Sequence, residues 1–164
     1  MSDAATGPTR FRLEWRIRTT PAKAFAAWTR PAELGWFFNE RMPRPDEPIV
    51  VDLRVGGAWR QMMVHDAETR YVTGGIYREI VTDRKLVFAW GAVDGWPLIA
   101  PDRLDEAPQV TVTFEPIDDG TLIILDVVIP PGMSEEFARE RLLTLVQAGW
   151  QETVDRFTRL FGAV

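Results

Sequence analysis

Odd-numbered positions from Phe11 to Ile17 are apolar and the residues between them are charged, the period-two signature of a strand with one wet face. After Thr20-Pro21, which suits a helix N-cap and first helical position, the spacing lengthens. Phe25 and Trp28 stand three apart, and a second short helix opening at Pro31 carries Leu34, Trp36, Phe37 and Phe38. Three prolines between Asn39 and Pro48 mark a loop. Extended segments are expected over Ile49–Val55, Ala58–His65, Tyr71–Thr82 and Lys85–Val93. The breaks between them are Gly56-Gly57, a polar turn at Asp66–Arg70, and Asp83-Arg84. Gly74-Gly75 lies inside the third segment and reads as a bulge or bend, which would flip Tyr77 and leaves the facing of that strand open. Val110–Glu115 and Leu122–Ile129 form a hairpin around Asp118-Asp119-Gly120.

The last segment changes period again. With Ser134 as N-cap, Leu142, Leu143, Val146, Trp150, Val154, Phe157, Leu160 and Phe161 fall on one helical stripe, while Glu140, Thr144, Gln151, Glu152, Asp155 and Thr158 fall outside it. A helix with so wide an apolar face needs a partner surface, and the strands supply the only large one. The order β-α-α-β6-α therefore predicts an α+β fold in which an antiparallel sheet of about seven strands wraps a long C-terminal helix. Such a grip leaves a cavity between sheet and helix. One domain is expected over residues 11–164, behind a disordered lead over residues 1–10.

Composition narrows the function. The formal net charge of −5, with no cluster of lysine or arginine, argues against a nucleic-acid partner. The absence of cysteine excludes disulfides, thiolate catalysis and cysteine-based zinc sites. No stretch reaches the roughly 18 apolar residues of a membrane helix, and the N-terminus has no apolar signal region, so a cytoplasmic protein without membrane contact is expected. Seven tryptophans and nine phenylalanines are unusual for this length, and they serve as core filler or as the wall of an aromatic pocket.

Little in the chain resembles catalytic machinery. His65 is the only histidine, and the only serines, Ser2 and Ser134, fall in the lead and at a helix cap, which removes a serine triad. A metal site completing His65 with Asp66, Glu68 or Glu79 lacks ligand spacing, so neither metal nor cofactor is expected. His65 shares parity with Trp59 and Met63, and is either a strand-end histidine beside a turn or a pocket donor. Arg60 and Gln61 put polar groups on a half-buried strand, facing solvent or hooking into the cavity. Trp90 and Trp150 are expected to approach across the gap between sheet and helix, with Gly149 on the flank of the stripe allowing close approach.

Taken in order, PAKAFAAWTRPAELGWFF, VGGAWR, GGIYREIVTDRKLVFAW, VTVTFEPIDDGTLIILDVVIP and a final helix with AGW resemble the bacterial proteins similar to the C-terminal domain of the activator of heat-shock-protein-90 ATPase. That family lies within the START, polyketide-cyclase and SRPBCC superfamily, and the likeness runs from about Phe11 to Phe161. The resemblance implies the helix-grip fold, seven antiparallel strands around the C-terminal helix, and an apolar cavity. It implies no single activity, because lipid carriers, receptors, cyclases and chaperone co-factors share the fold.

The expected function is a binding module for a small hydrophobic or aromatic molecule. Its ligand-binding residues are expected to be Trp59, Met63, His65, Phe88, Trp90, Trp96, Val112, Phe114, Val146 and Trp150, with Trp36 and Phe37 at the mouth. No residue is assigned a catalytic role. The alternatives are a cyclase- or hydrolase-type enzyme using His65, Glu79, Asp126 or Tyr77, and a chaperone co-factor. The second is disfavoured because the chain has no room for the additional N-terminal domain of the eukaryotic activators. Asp94–Pro108 is longer than a plain hairpin and carries Trp96, Leu98 and Ile99, which suits a lid over the cavity or a homodimer contact.

Overall fold

The computed structural model describes residues 9–130 and 140–163. Strand β1 (Thr9–Ile17) leads into helix α1 (Pro21–Thr29) and a 3₁₀ helix (Pro31–Phe37). Five strands follow the loop: β2 (Val50–Val51), β3 (Ala58–Val64), β4 (Arg70–Val81), β5 (Lys85–Trp90) and, after a 3₁₀ turn at Leu104–Glu106, β6 (Gln109–Ile117). Strand β7 (Gly120–Ile129) completes the sheet, and helix α2 (Glu140–Phe161) packs against it. The strands run in the order β1-β7-β6-β5-β4-β3-β2, every pairing antiparallel. This is the helix-grip architecture, with β1 closing onto the far end of a six-strand meander.

Local chemistry explains most boundaries. Thr20 caps α1 by accepting a hydrogen bond from the Lys23 amide at 3.2 Å, with Pro21 in the first turn. Ile17 of β1 pairs with Thr121 just after the Asp118-Asp119 turn, and the Thr121 hydroxyl donates to the Thr19 carbonyl at 2.7 Å. The inner sheet face carries the alternating apolar set, including Phe88, Val112, Phe114, Ile123 and Leu125, each essentially closed to solvent.

Five expectations change. The strand expected over Ile49–Val55 shrinks to Val50–Val51, because Arg54 and Gly57 amides turn back onto the Asp52 and Arg54 carbonyls. The strand expected to reach Val93 stops at Trp90, where Gly91 takes a φ of +146° and its backbone turns toward Pro97. The ladder through Gly74-Gly75 is regular; the bulge falls at Arg78, between the Tyr77–Phe88 and Glu79–Val87 pairs. Tyr77 therefore stays on the buried face, while Arg78 is released to pair with Asp105 at 2.8 Å. Gly75 must be glycine, since a Cβ there would stand 2.6 Å from the Phe88 ring. The second short helix is 3₁₀ rather than α. On α2, Val146, Trp150, Val154 and Phe157 are buried as the stripe requires, but Leu160 in the last turn is exposed. The Ser134 cap and the side chains of Leu142 and Leu143 lie outside those described.

Candidate functional site

The groove between the sheet and α2 is filled at one end and open at the other. At the filled end Trp36 stacks obliquely on Phe157 and on Trp28, with ring centroids 4.7 and 4.8 Å apart, and Trp28 meets Phe114 and Phe157 edge-on. The Trp36 indole donates to the Ala27 carbonyl at 2.9 Å, which ties the 3₁₀ helix to α1. Nothing is left there for a ligand to displace.

At the open end lies a cavity of about 750 Å³. Strand β3 contributes Met63 and Val64 to its wall, and His65 follows just beyond its end; β4 contributes Tyr71 and Thr73, β5 contributes Trp90, and the following loop contributes Trp96. Helix α2 supplies Val146, Ala148, Gly149, Trp150, Glu152, Thr153 and Arg156, and the segment after the 3₁₀ helix supplies Phe37, Asn39, Arg41 and Met42. Five of these rings form a continuous edge-to-face arc. Phe37 meets Trp150 at 5.8 Å, Trp150 meets Trp90 at 5.3 Å, Trp90 meets Trp96 at 5.5 Å, and Trp96 meets Tyr71 at 5.9 Å. Each T-shaped contact sets the next ring roughly across the last, so the arc holds its shape through its own quadrupoles.

The polar groups of the wall are of two kinds. Some are consumed by the fold: Trp90 Nε1 donates to Thr73 Oγ1 at 3.1 Å, and Asn39 Nδ2 donates to the His65 carbonyl at 3.2 Å, pinning the loop to the end of β3. Others have no partner among the described residues. The Trp150 indole N–H is buried without an acceptor, and Tyr71 makes no hydrogen bond through its hydroxyl among the described residues. Burial of that phenol pushes its pKa above the ordinary value of 10.0. Arg156 sits at the other side of the cavity, its side chain only 9% exposed. It donates to the Trp36 carbonyl through Nε and to the Phe37 carbonyl through Nη2, both at 3.0 Å, so that a buried cation closes the C-terminal end of the 3₁₀ helix.

Seven of the twelve residues expected at the site line this cavity: Phe37, Met63, His65, Trp90, Trp96, Val146 and Trp150. Trp36, Trp59, Phe88, Val112 and Phe114 belong to the packed core instead. Strand parity put the four strand residues on the correct face, but parity cannot say where along a face the packing stops. Gln61, not Arg60, is the inward polar hook, and it serves the fold: Oε1 accepts from the Trp59 indole at 3.3 Å and Nε2 donates to the Leu34 carbonyl at 3.4 Å. Arg60 reaches out to the Val93 carbonyl. The apolar trio after β5 divides, with Trp96 in the cavity wall, Ile99 buried beside Ala89 and Ala107 in a second cluster, and Leu98 exposed. A Cβ on Gly149 would meet nothing within 4 Å, so this glycine faces open space rather than a neighbouring strand.

Sequence reasoning overlooked Tyr71, Thr73, Thr153 and Arg156. A signal for the last two existed, because Val146, Gly149, Thr153 and Arg156 are spaced three, four and three apart and form a line beside the main stripe. Of the residues considered for catalysis, only His65 lines the cavity; Glu79 pairs with Lys85, Asp126 pairs with Arg10, and Tyr77 is buried beside Phe88. Among the described residues no group of three or more histidine, aspartate or glutamate side chains is placed to hold a metal. Among them, too, no helix is long and apolar enough to cross a membrane.

The sequence pattern of the family described as Activator of Hsp90 ATPase homolog 1-like protein matches residues 18–162. Similar solved structures include an uncharacterised protein from Rhizobium leguminosarum, with 23% identity, TM-score 0.64, and 91% of each chain covered. One from Rhodobacter sphaeroides has 18% identity and TM-score 0.70, covering 93% of this chain and 91% of that one. The solution structure of an AHSA1-like protein from Aeromonas hydrophila has 20% identity and TM-score 0.63, covering 92% and 90%. At these identities the likeness is one of fold. No curated protein matches the chain.

Proposed function

This chain belongs to the Activator of Hsp90 ATPase homolog 1-like family, and from that premise and the aromatic cavity we propose that it is a binding module for a small apolar or aromatic molecule. The fold is one that commonly binds hydrophobic ligands, and the observation that carries the reading for this chain is the five-ring arc around about 750 Å³ of open space. That volume lies in the range of about 300–1,000 Å³ usual for small-molecule sites, whose walls are apolar with a few placed polar groups. The Tyr71 hydroxyl is such a group, and it gains a hydrogen bond when a ligand brings an acceptor.

Gly149→Leu tests the reading directly. Its side chain enters open space on α2, and replacing a mid-helix glycine stabilises by roughly 0.5–1 kcal/mol, so the variant should fold at least as well as the parent. The neutral fluorophore N-phenylnaphthylamine should bind the parent with enhanced emission and raise its melting temperature, and should do neither with Gly149→Leu. Equal binding by both proteins would refute the cavity as the site.

A further inference from the structure

Charge at one side of the cavity is arranged for a particular class of ligand. Glu152 Oε1 lies between two guanidiniums, 3.8 Å from Arg156 Nη1 and 4.0 Å from Arg41 Nη2, and so within ion-pair range of both but outside hydrogen-bond distance of either. All three residues line the cavity. The other two nitrogens of Arg156 are spent on neutral carbonyls, at Trp36 and Phe37, leaving Nη1 as its uncommitted corner. The charged groups acting on Arg156 are Glu152, Glu40, Arg159 and Arg41, so the cluster holds three guanidiniums against two carboxylates. Glu40 is moreover taken by Arg159 at 2.7 Å. Burial is the largest influence on Arg156 and lowers its pKa; Glu152 only partly opposes it. A cation nine-tenths buried with one distant, half-exposed counter-ion is under-compensated, and an apolar cavity beside it lets an anion act with little screening.

We propose that the ligand is an amphipathic organic acid whose apolar body lies along the aromatic arc and whose carboxylate or sulfonate enters between Arg41 and Arg156, displacing Glu152 toward solvent. This rests on the binding reading above and adds the headgroup. Glu152 is the competitor: 57% exposed and hydrogen-bonded to neither arginine, it can swing away at small cost. Arg41, 82% exposed, is free to close over the headgroup.

Two fluorophores with one skeleton separate body from headgroup. N-phenylnaphthylamine is neutral; anilinonaphthalenesulfonate adds only the anion. Arg41→Gln should weaken the sulfonate by about three- to five-fold, the scale of one exposed ion pair. Glu152→Gln should tighten it by a similar factor, and the neutral probe should respond less than the sulfonate to either variant. Added salt should weaken the sulfonate alone. Both substitutions are of exposed side chains, and unchanged melting curves without probe verify folding. If the two probes respond alike to both variants yet are both lost in Gly149→Leu, the anion site is overturned while the cavity reading stands. Sulfonate binding that survives Gly149→Leu places the anion elsewhere and also overturns the proposal. If neither probe binds the parent, both readings fall.

Discussion

Trp150 and Trp90 face each other at the cavity with rings 5.3 Å apart, both nearly inaccessible, but their indole N–H groups have opposite fates. Trp90 Nε1 bonds to buried Thr73, whereas Trp150 Nε1 is buried with no acceptor. Replacing each by phenylalanine removes the same atoms, and the packing loss should be similar, on the order of 1–2 kcal/mol. At Trp150 the substitution also removes an unsatisfied donor whose burial costs about 1–3 kcal/mol, so the two effects nearly cancel. At Trp90 it removes a hydrogen bond contributing about 1 kcal/mol and strands the Thr73 hydroxyl, so the losses add. Trp150→Phe should therefore fall within about 1 kcal/mol of the parent, and Trp90→Phe should lie roughly 2 kcal/mol below Trp150→Phe. Urea unfolding followed by far-ultraviolet circular dichroism measures this without relying on tryptophan emission, and the slopes should agree among the three proteins. In melting temperature the gap should be about 4–8 °C for a chain of this length. If Trp150→Phe proves as damaging as Trp90→Phe, the indole N–H is not an unpaired group.

Phe157→Ala should cost about 3–5 kcal/mol in chemical unfolding, because the ring is fully buried against Trp28, Trp36 and Phe161 and nothing nearby can collapse into the void. Gln61→Leu should cost on the order of 2–4 kcal/mol by thermal unfolding, since it strips the Trp59 indole of its acceptor and the Leu34 carbonyl of its donor in a closed interior. Both tyrosines should resist ionisation: burial raises Tyr71 above 10.0, and burial with the nearby Asp52 charge raises Tyr77 further. The folded state holds these protons more tightly than the unfolded state, so their contribution to stability is intact below pH 10 and is lost as pH rises above it. Ultraviolet titration should show less than half of the phenol ionised at pH 10, rising to the ordinary curve in denaturant; an ordinary curve in the folded protein would contradict the burial of both rings.

Alternation from Phe11 to Ile17, the Asp118-Asp119 turn and the apolar stripe of α2 were readable as a sheet gripping a helix, because each is a local pattern whose period is set by backbone geometry. The same periodicities named the inward face of most strands and of α2, so the expected site residues on those elements lie either at the cavity or in the core beside it. Division between those two groups was not local. Phe88 and Phe114 obey the same alternation as Trp90, and only the position of α2 decides that Trp28, Trp36 and Phe157 fill the space against Phe114 while Trp90 faces a gap. The bulge was misplaced for a related reason. Two glycines mark where backbones and rings approach closely, but the register slips at Arg78, where pairing across to β5 demands it. The triad of Arg41, Glu152 and Arg156 depends most on tertiary structure, since it joins residues more than a hundred positions apart. Charge density along the chain carries no trace of it. An arginine on a helix is ordinarily solvated, and this one is buried because the end of a 3₁₀ helix, folded from a distant segment, presents two carbonyls that need its donors.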